Sequence, residues 1–230
     1  MNKVSKIAVI LGVGACLASP SHAASQMDII AFQTNLSDMN RLKPLQNPRH
    51  ELSKDILGGT LSDRENKVVG TVEDVLVDDD GYVQTLFTDL DRLHLGDAVF
   101  LDYNDMGVKN MSDGYKLGMN SAEISAAYPE LLGNIETASG QNNLISVKNL
   151  RGTEVWGTKN IRLGEISEIL FDKSGTYLRG IYLNVDYKTI RAEGIAVPFD
   201  ALSYEEKNGK PVAVIDQDYA DAVVKHLKDQ

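Results

Sequence analysis

The sequence predicts a mainly β protein: two small antiparallel β-barrels with a few short helices. Three observations predict it. The chain repeats itself at an offset of 94 positions. Each copy carries a glycine turn between β-branched segments. Each copy is also only about 50 to 60 residues long, a size at which short strands hide their edges by closing on themselves. In the repeat, Val69-Gly70-Thr71-Val72-Glu73-Asp74-Val75-Leu76-Val77-Asp78-Asp79-Asp80-Gly81 lies over Leu163-Gly164-Glu165-Ile166-Ser167-Glu168-Ile169-Leu170-Phe171-Asp172-Lys173-Ser174-Gly175. Both glycines coincide, as do Leu76/Leu170 and Asp78/Asp172, and every apolar position of the first copy is apolar in the second. With small gaps, Gly59-Thr60 meets Gly152-Thr153 upstream, and Ala98-Val99-Phe100-Leu101-Asp102 meets Ala196-Val197-Pro198-Phe199-Asp200 downstream.

The elements follow in chain order. Residues 1–23 read as a signal peptide. Lys3 and Lys6 make a basic start, Ile7 to Ala18 is apolar or small, Pro20 breaks the run, and Ser21-His22-Ala23 offers the small residues a signal peptidase reads. Cleavage is expected between Ala23 and Ala24, which places the mature chain in the periplasm. A buried N-terminal helix is the competing structural reading. A lipoprotein anchored through Cys16 is the less favoured export route, because Val13-Gly14-Ala15-Cys16 is a weak lipobox. Cleavage leaves 207 residues and no cysteine, so folding rests on buried apolar area rather than on a disulfide. Losing two lysines takes the net charge from −10 to −12. That balance argues against binding nucleic acid or anionic lipid and for a soluble acidic protein. No later stretch is long and apolar enough to span a membrane.

Residues 24–54, with Pro44 and Pro48 amid polar residues, read as an extended arm or linker, within which Met27 to Phe32 forms a strand or a short helix. The first barrel is expected over residues 55–106. Its Asp78-Asp79-Asp80-Gly81 is a turn rather than a metal loop. With Gly81 at position six of an EF-hand loop, Leu76 and Phe87 would occupy positions one and twelve, where carboxylates are required. In the second copy two of the three carboxylates are Lys173 and Ser174 while Gly175 remains, so the shared property is a backbone turn. Val72, Val75 and Val77, like Ile166, Ile169 and Phe171, are spaced by three and then two, which calls for a bulge in a strand.

Residues 107–146 connect the copies. Asn120 caps a helix with Glu123 three residues on, and Ile124, Tyr128, Leu131, Leu132 and Ile135 share one face. Pro129 predicts two short helices or a kink. That face covers a barrel; a partner-binding groove is the minority reading. The second barrel, residues 147–230, includes the alternating strand Ile181, Leu183, Val185 and a C-terminal helix. That helix is capped by Asp216 and striped by Tyr219, Val223 and Leu227, with Lys225, His226 and Lys228 at its negative end.

The order Gly-Thr, then Val68 to Gly81, an alternating strand and a short closing segment resembles the PRC-barrel domain, a small six-stranded β-barrel. The second copy, Leu150 to about Val214, matches best and keeps Ile195-Ala196-Val197-Pro198-Phe199-Asp200-Ala201-Leu202. The first, about Leu57 to Tyr103, departs there, with Phe100 in place of Pro198 and no Ala-Leu after Asp102. The resemblance implies an assembly or interaction module, with no catalytic motif to carry over and no cofactor. Export rules out the role of the related barrel in the ribosome-maturation factor.

The residues themselves offer little chemistry. His50, His94 and His226 have no second ligand at metal spacing, no Gly-x-Ser-x-Gly elbow occurs, and no Ser–His–Asp set is coherent. Asp102 and Asp200, taken as equivalent under the repeat, read as a shared turn or cap; the competing reading is a carboxylate pair that could cleave a glycoside. Trp156, Tyr177 and Tyr182 pack a barrel face or line a sugar or peptide surface. The leading expectation is therefore a non-catalytic envelope protein that binds another envelope protein or itself. An envelope hydrolase using paired carboxylates and an assembly factor for a membrane complex are the alternatives. No catalytic, metal or cofactor residue is assigned.

Overall fold

The computed structural model describes residues 25–111, 114–139, 144–187, 190–207 and 210–229. The signal-peptide features, including Lys3, Lys6, Cys16, Ala23 and Ala24, lie outside the described residues. The chain runs α1 (Gln26–Asn40), β1 (His50–Leu52), α2 (Ser53–Ile56), β2 (Thr60–Ser62), β3 (Val68–Val77), β4 (Val83–Asp89), β5 (Val99–Asp102), β6 (Lys109–Met111), β7 (Gly114–Lys116) and α3 (Ser121–Ser139). It continues with β8 (Ile145–Ser146), α4 (Val147–Leu150), β9 (Glu154–Gly157), β10 (Ile161–Asp172), β11 (Leu178–Tyr187), β12 (Ile190–Pro198), β13 (Leu202–Lys207), β14 (Lys210–Ile215) and α5 (Gln217–Lys228).

The protein is mainly β, as the sequence predicts, and is built on two seven-stranded sheets. One has the order β5-β4-β3-β2-β7-β6 and the other β12-β11-β10-β9-β14-β13. The two orders are the same list displaced along the chain. Two expectations are corrected. The sheets are mixed rather than antiparallel, since β2 runs parallel to β7 and β9 parallel to β14. Among the described residues the strand pairings also leave each ring open, so the sheets are barrel-like without closing. The first sheet runs on past residue 106, because β6 and β7 complete it.

The spacing of three then two is explained by bulges. The β3/β4 register shifts between Val72 and Asp74, and the β10/β11 register shifts at the same place, between Ile166 and Glu168. Each bulge returns the apolar side chains to one face. Val69, Val72, Val75 and Val77 are buried, as are Leu163, Ile166, Ile169 and Phe171, and these side chains join one apolar cluster running through both sheets. Gly70 and Gly164 coincide because the strands cross closely there. A Cβ at Gly70 would lie 1.9 Å from the Asp89 carbonyl oxygen, and one at Gly164 would lie 2.0 Å from that of Asn184. Gly81 and Gly175 take positive φ, 90° and 63°, in the turns.

Hydrogen bonding corrects the ends of the repeat. Gly58 N–H donates to Val72 O and Gly152 N–H to Ile166 O, while Gly59 O and Thr153 O accept from the same two residues. Upstream, the offset of 94 therefore holds without a gap, and Gly58, not Gly59, is the counterpart of Gly152. Downstream, Asp102 pairs with Thr85 while the structurally equivalent Gly180 pairs with Pro198. Asp102 thus corresponds to Pro198 rather than to Asp200.

The leading strand of each copy docks on the other copy's sheet. β1 pairs with β10 and β8 with β3, both antiparallel. Leu52 faces Leu170 and Ser146 faces Leu76, two pairs related by the offset of 94 in both partners. Each crossing is tied by a hydroxyl on a carboxylate. Ser53 donates to buried Glu168, and Ser146 donates to Asp74, the counterpart of Glu168. The two hairpin tips also meet: Val83 N–H donates to Thr176 O at 3.0 Å, Leu178 N–H to Gly81 O at 2.8 Å, and the Tyr82 and Tyr177 rings lie 5.0 Å apart.

The supposed arm is largely helical. Ser25 and Asp28 form a capping box at the start of α1, which buries Phe32, Leu36 and Met39. The helix α3 is continuous through Pro129, which removes the donor for the Ser125 carbonyl without ending the helix. Ile124 and Leu131 are buried and Tyr128 and Leu132 half-buried, so this face covers the first sheet. The Ile135 side chain lies outside the described residues.

Candidate functional site

The acidic stretch 78–80 is a turn. Asp78 Oδ1 accepts from Tyr82 N–H at 2.8 Å, and Gly81 N–H donates to Asp78 O at 2.9 Å. Asp172 does the same work in the second copy, accepting from the Thr176 and Tyr177 N–H groups. Among the described residues, no group of three or more His, Cys, Asp or Glu is placed to hold a metal ion. Asp102 accepts from Asn104 and Asp105 N–H in a surface turn, and Asp200 sits in a short 3₁₀ segment, Phe199–Ala201, of the other unit. The equivalence that made them a candidate acid pair does not hold.

The remaining singled-out residues are dispersed. His94 is exposed in a left-handed turn, His226 lies in α5, and His50 begins β1. Trp156 donates to Glu154 Oε2 at 3.1 Å on β9. Tyr182 packs with Met39, Leu52 and Leu170 beneath α1. Of the residues singled out, only Tyr177, His50 and Asp200 come together, and they do so in a groove formed where α1 lies on the second sheet.

Asn40 fixes the end of α1 that forms one side of that groove. Its Oδ1 accepts from Ala196 N–H at 2.8 Å and its Nδ2 donates to Ala196 O at 2.8 Å, so a side-chain amide satisfies both backbone groups of one β12 residue. Phe32 stacks on Tyr219 of α5 at 4.5 Å and fixes the other end of α1. Beyond Asn40 the chain turns through Pro44–Gln46 and back into β1, with Asn47 Oδ1 accepting from Arg49 N–H at 3.1 Å. The groove has a volume of about 360 Å³ and is lined by Asn35, Asp38, Met39, Arg41, Asn47, Arg49, His50, Tyr177, Arg179, Pro198 and Asp200. A second depression of about 180 Å³ continues from it along α1, sharing Asn35 and Asp200 and ending at Phe32 and Tyr219.

Arg41, Arg49 and Arg179 reach the groove from the end of α1, the loop before β1 and β11. Among the described residues none of them forms an ion pair with a carboxylate, whereas Arg162 contacts Glu154, Glu165 and Asp186. His50 is held below its usual pKa by burial and by the Arg179 charge, although the Pro44 carbonyl, 3.4 Å from Nδ1, opposes this. Its ring is therefore neutral near pH 7, and the positive charge of the site is that of the guanidiniums. Sequence reasoning missed the arginines, which have no local pattern, and Asn40, whose partner is 156 residues away.

The second unit is also where a family relationship shows. Residues 142–221 match the PRC-barrel domain. The match takes in β9 to β14 and the start of α5, a little over a third of the chain. The first unit, outside the matched residues, repeats the strand order of the unit that contains the match. No curated protein matches the chain.

Proposed function

We propose that the protein is an exported, non-catalytic module that assembles with another protein of the cell envelope, or with itself. The observation that carries this reading is the PRC-barrel match over residues 142–221, since PRC-barrel domains are in general binding modules rather than enzymes. Three further features support it. The order of basic, apolar and small residues in residues 1–23 suits export to the periplasm. The two carboxylates that offered a hydrolytic pair belong to separate turns. The open groove on the second unit gathers three arginines, Met39 and Tyr177, residue types enriched at protein interfaces.

Crosslinking in intact cells, followed by identification of the captured chains, tests the reading together with the mass of the purified protein in solution. Recovery of a defined envelope protein, or of a dimer, is the expected result. A strictly monomeric protein that captures nothing sinks the proposal.

A further inference from the structure

Resting on that reading, we infer that the groove between α1 and β11 is the docking site for an extended segment of the partner that carries carboxylate side chains. The whole chain carries −10, yet this groove gathers Arg41, Arg49 and Arg179 against Asp38 and Asp200, a local excess of one positive charge. Three guanidiniums that, among the described residues, make no ion pair with a carboxylate offer planar forks that match carboxylates. The chain's overall field repels acidic molecules at long range, so a ligand gains only by seating its carboxylates in the groove.

The remaining lining distinguishes a peptide from a free anion. Asp38 and Asp200 repel any anion that comes against them, phosphate or carboxylate, but they accept hydrogen bonds from peptide N–H groups, which a free anion lacks. Asn35 and Asn47 offer both donors and acceptors, which suits a main chain. The depression continuing past Asn35 and Asp200 to Tyr219 gives the track length; Asp28 lines that far end, so the carboxylates of the segment seat at the arginine end. Tyr177, its ring tilted against that of Tyr82, supplies an aromatic wall beside Arg179, and Tyr and Arg, with Trp, are enriched among the residues that dominate binding energy. Tyr82 is 55% exposed, so the wall continues onto the surface.

The test uses the whole mature chain and two probes. One is an acetylated, amidated hexapeptide alternating Asp and Ala; its control replaces each Asp with Asn. The other probe is inorganic phosphate. The His50 and Tyr177 side-chain NMR signals report occupancy at low salt. The Asp peptide is expected to shift both signals saturably, the Asn peptide not to, and the double variant Arg49→Glu with Arg179→Glu to weaken binding at least tenfold. Should that double variant fail to fold, Arg49→Gln and Arg179→Gln, made singly, are each expected to weaken it about threefold. No saturable shift with the Asp peptide, or a shift that survives the substitutions, overturns the inference. A phosphate affinity equal to that of the peptide overturns it in favour of a free anion. A photo-crosslinker placed at Asn47, compared with one at Glu205 on β13, separates the two proposals. Capture of a partner at Glu205 alone leaves the assembly reading standing and removes the groove. Capture at neither site, with no complex in cells, removes both.

Discussion

The two sheets share a strand order but are secured by different chemistry. In the first, Asp63 anchors the hairpin to α3. Its Oδ1 accepts from Glu65 and Lys67 N–H, and its Oδ2 accepts from the Ser121 hydroxyl and N–H. In the second, the corresponding place is Gly157, on which Gln217 rests with its Oε1 buried and lacking a hydrogen-bond partner among the described residues. The crossings differ too. Glu168 is 5% exposed and holds only the Ser53 hydroxyl and Ile169 N–H, whereas Asp74 holds the Ser146 hydroxyl and the N–H groups of Val75 and Lys148. The second unit also carries α1, and with it the groove. A duplicated backbone thus leaves each copy free to divide anchoring and binding differently. Among the described residues, the buried side-chain polar atoms of the first copy are hydrogen-bonded, whereas Gln217 Oε1 and the Tyr204 hydroxyl of the second are buried without a partner.

The comparison can be broken most sharply at the glycines. Gly70→Ala and Gly164→Ala are each expected to cost about 4 kcal/mol or more, because the new Cβ would meet a carbonyl oxygen on a neighbouring strand. Urea unfolding measures it, and a loss under about 1 kcal/mol at either site would contradict the shared crossing. Asp63→Ala is expected to cost about 3 kcal/mol at neutral pH by leaving buried donors unmatched. Burial alone would push the Asp63 carboxyl up, but its hydrogen bonds outweigh this and hold the pKa below the ordinary 3.8. The stability it contributes is therefore present above that value and lost as pH falls through the lowered one. Against Asp63→Asn, the advantage of the wild type is expected to fade only in strong acid.

Smaller effects discriminate between the crossings. Ser53→Ala is expected to cost about 2 kcal/mol and Ser146→Ala about 1 kcal/mol, since Glu168 is left with one hydrogen bond and Asp74 with two. Equal losses would show that the two ties are interchangeable. The smallest expected effect is a pH slope. Burial raises the Asp74 carboxyl above 3.8, although Ser146, the Lys148 and Val75 N–H groups and the Lys148 charge oppose it. The native state then binds the proton more tightly than the unfolded chain. Wild-type stability is expected to fall relative to Asp74→Asn as pH rises from 3.8 through the raised value. Chemical denaturation across pH 3 to 7 checks the sign.

Much of this organisation was written locally. Asp78 to Gly81 and Asp172 to Gly175 declare their turns because an Asx side chain and a glycine act within five residues. The bulges were legible in the valine spacing. The helix α1 was hidden by Pro44, Pro48 and a polar face, although Phe32, Leu36 and Met39 at i, i+4 and i+7 carried the signal. The strands β6 and β7 have three residues each and no alternation to read. Ala98 to Asp102 matched Ala196 to Asp200 by letters, but the registers differ by two residues, which only hydrogen bonding reveals. The groove could not be read at all: Arg49 and Arg179 are far apart in the chain and come together where β1 docks on β10 beside β11, with α1 clamped alongside by Asn40.

The reciprocal docking of β1 on β10 sets a timetable for the growing chain. His50 to Leu52 emerge about 120 residues before their partners, Leu170 to Asp172, and face a wait until those residues arrive. Throughout it the backbone of β1 stays bonded to water or to whatever shields it. The strand made first is among the last to find its place, and the earliest half of the molecule is finished only by the latest.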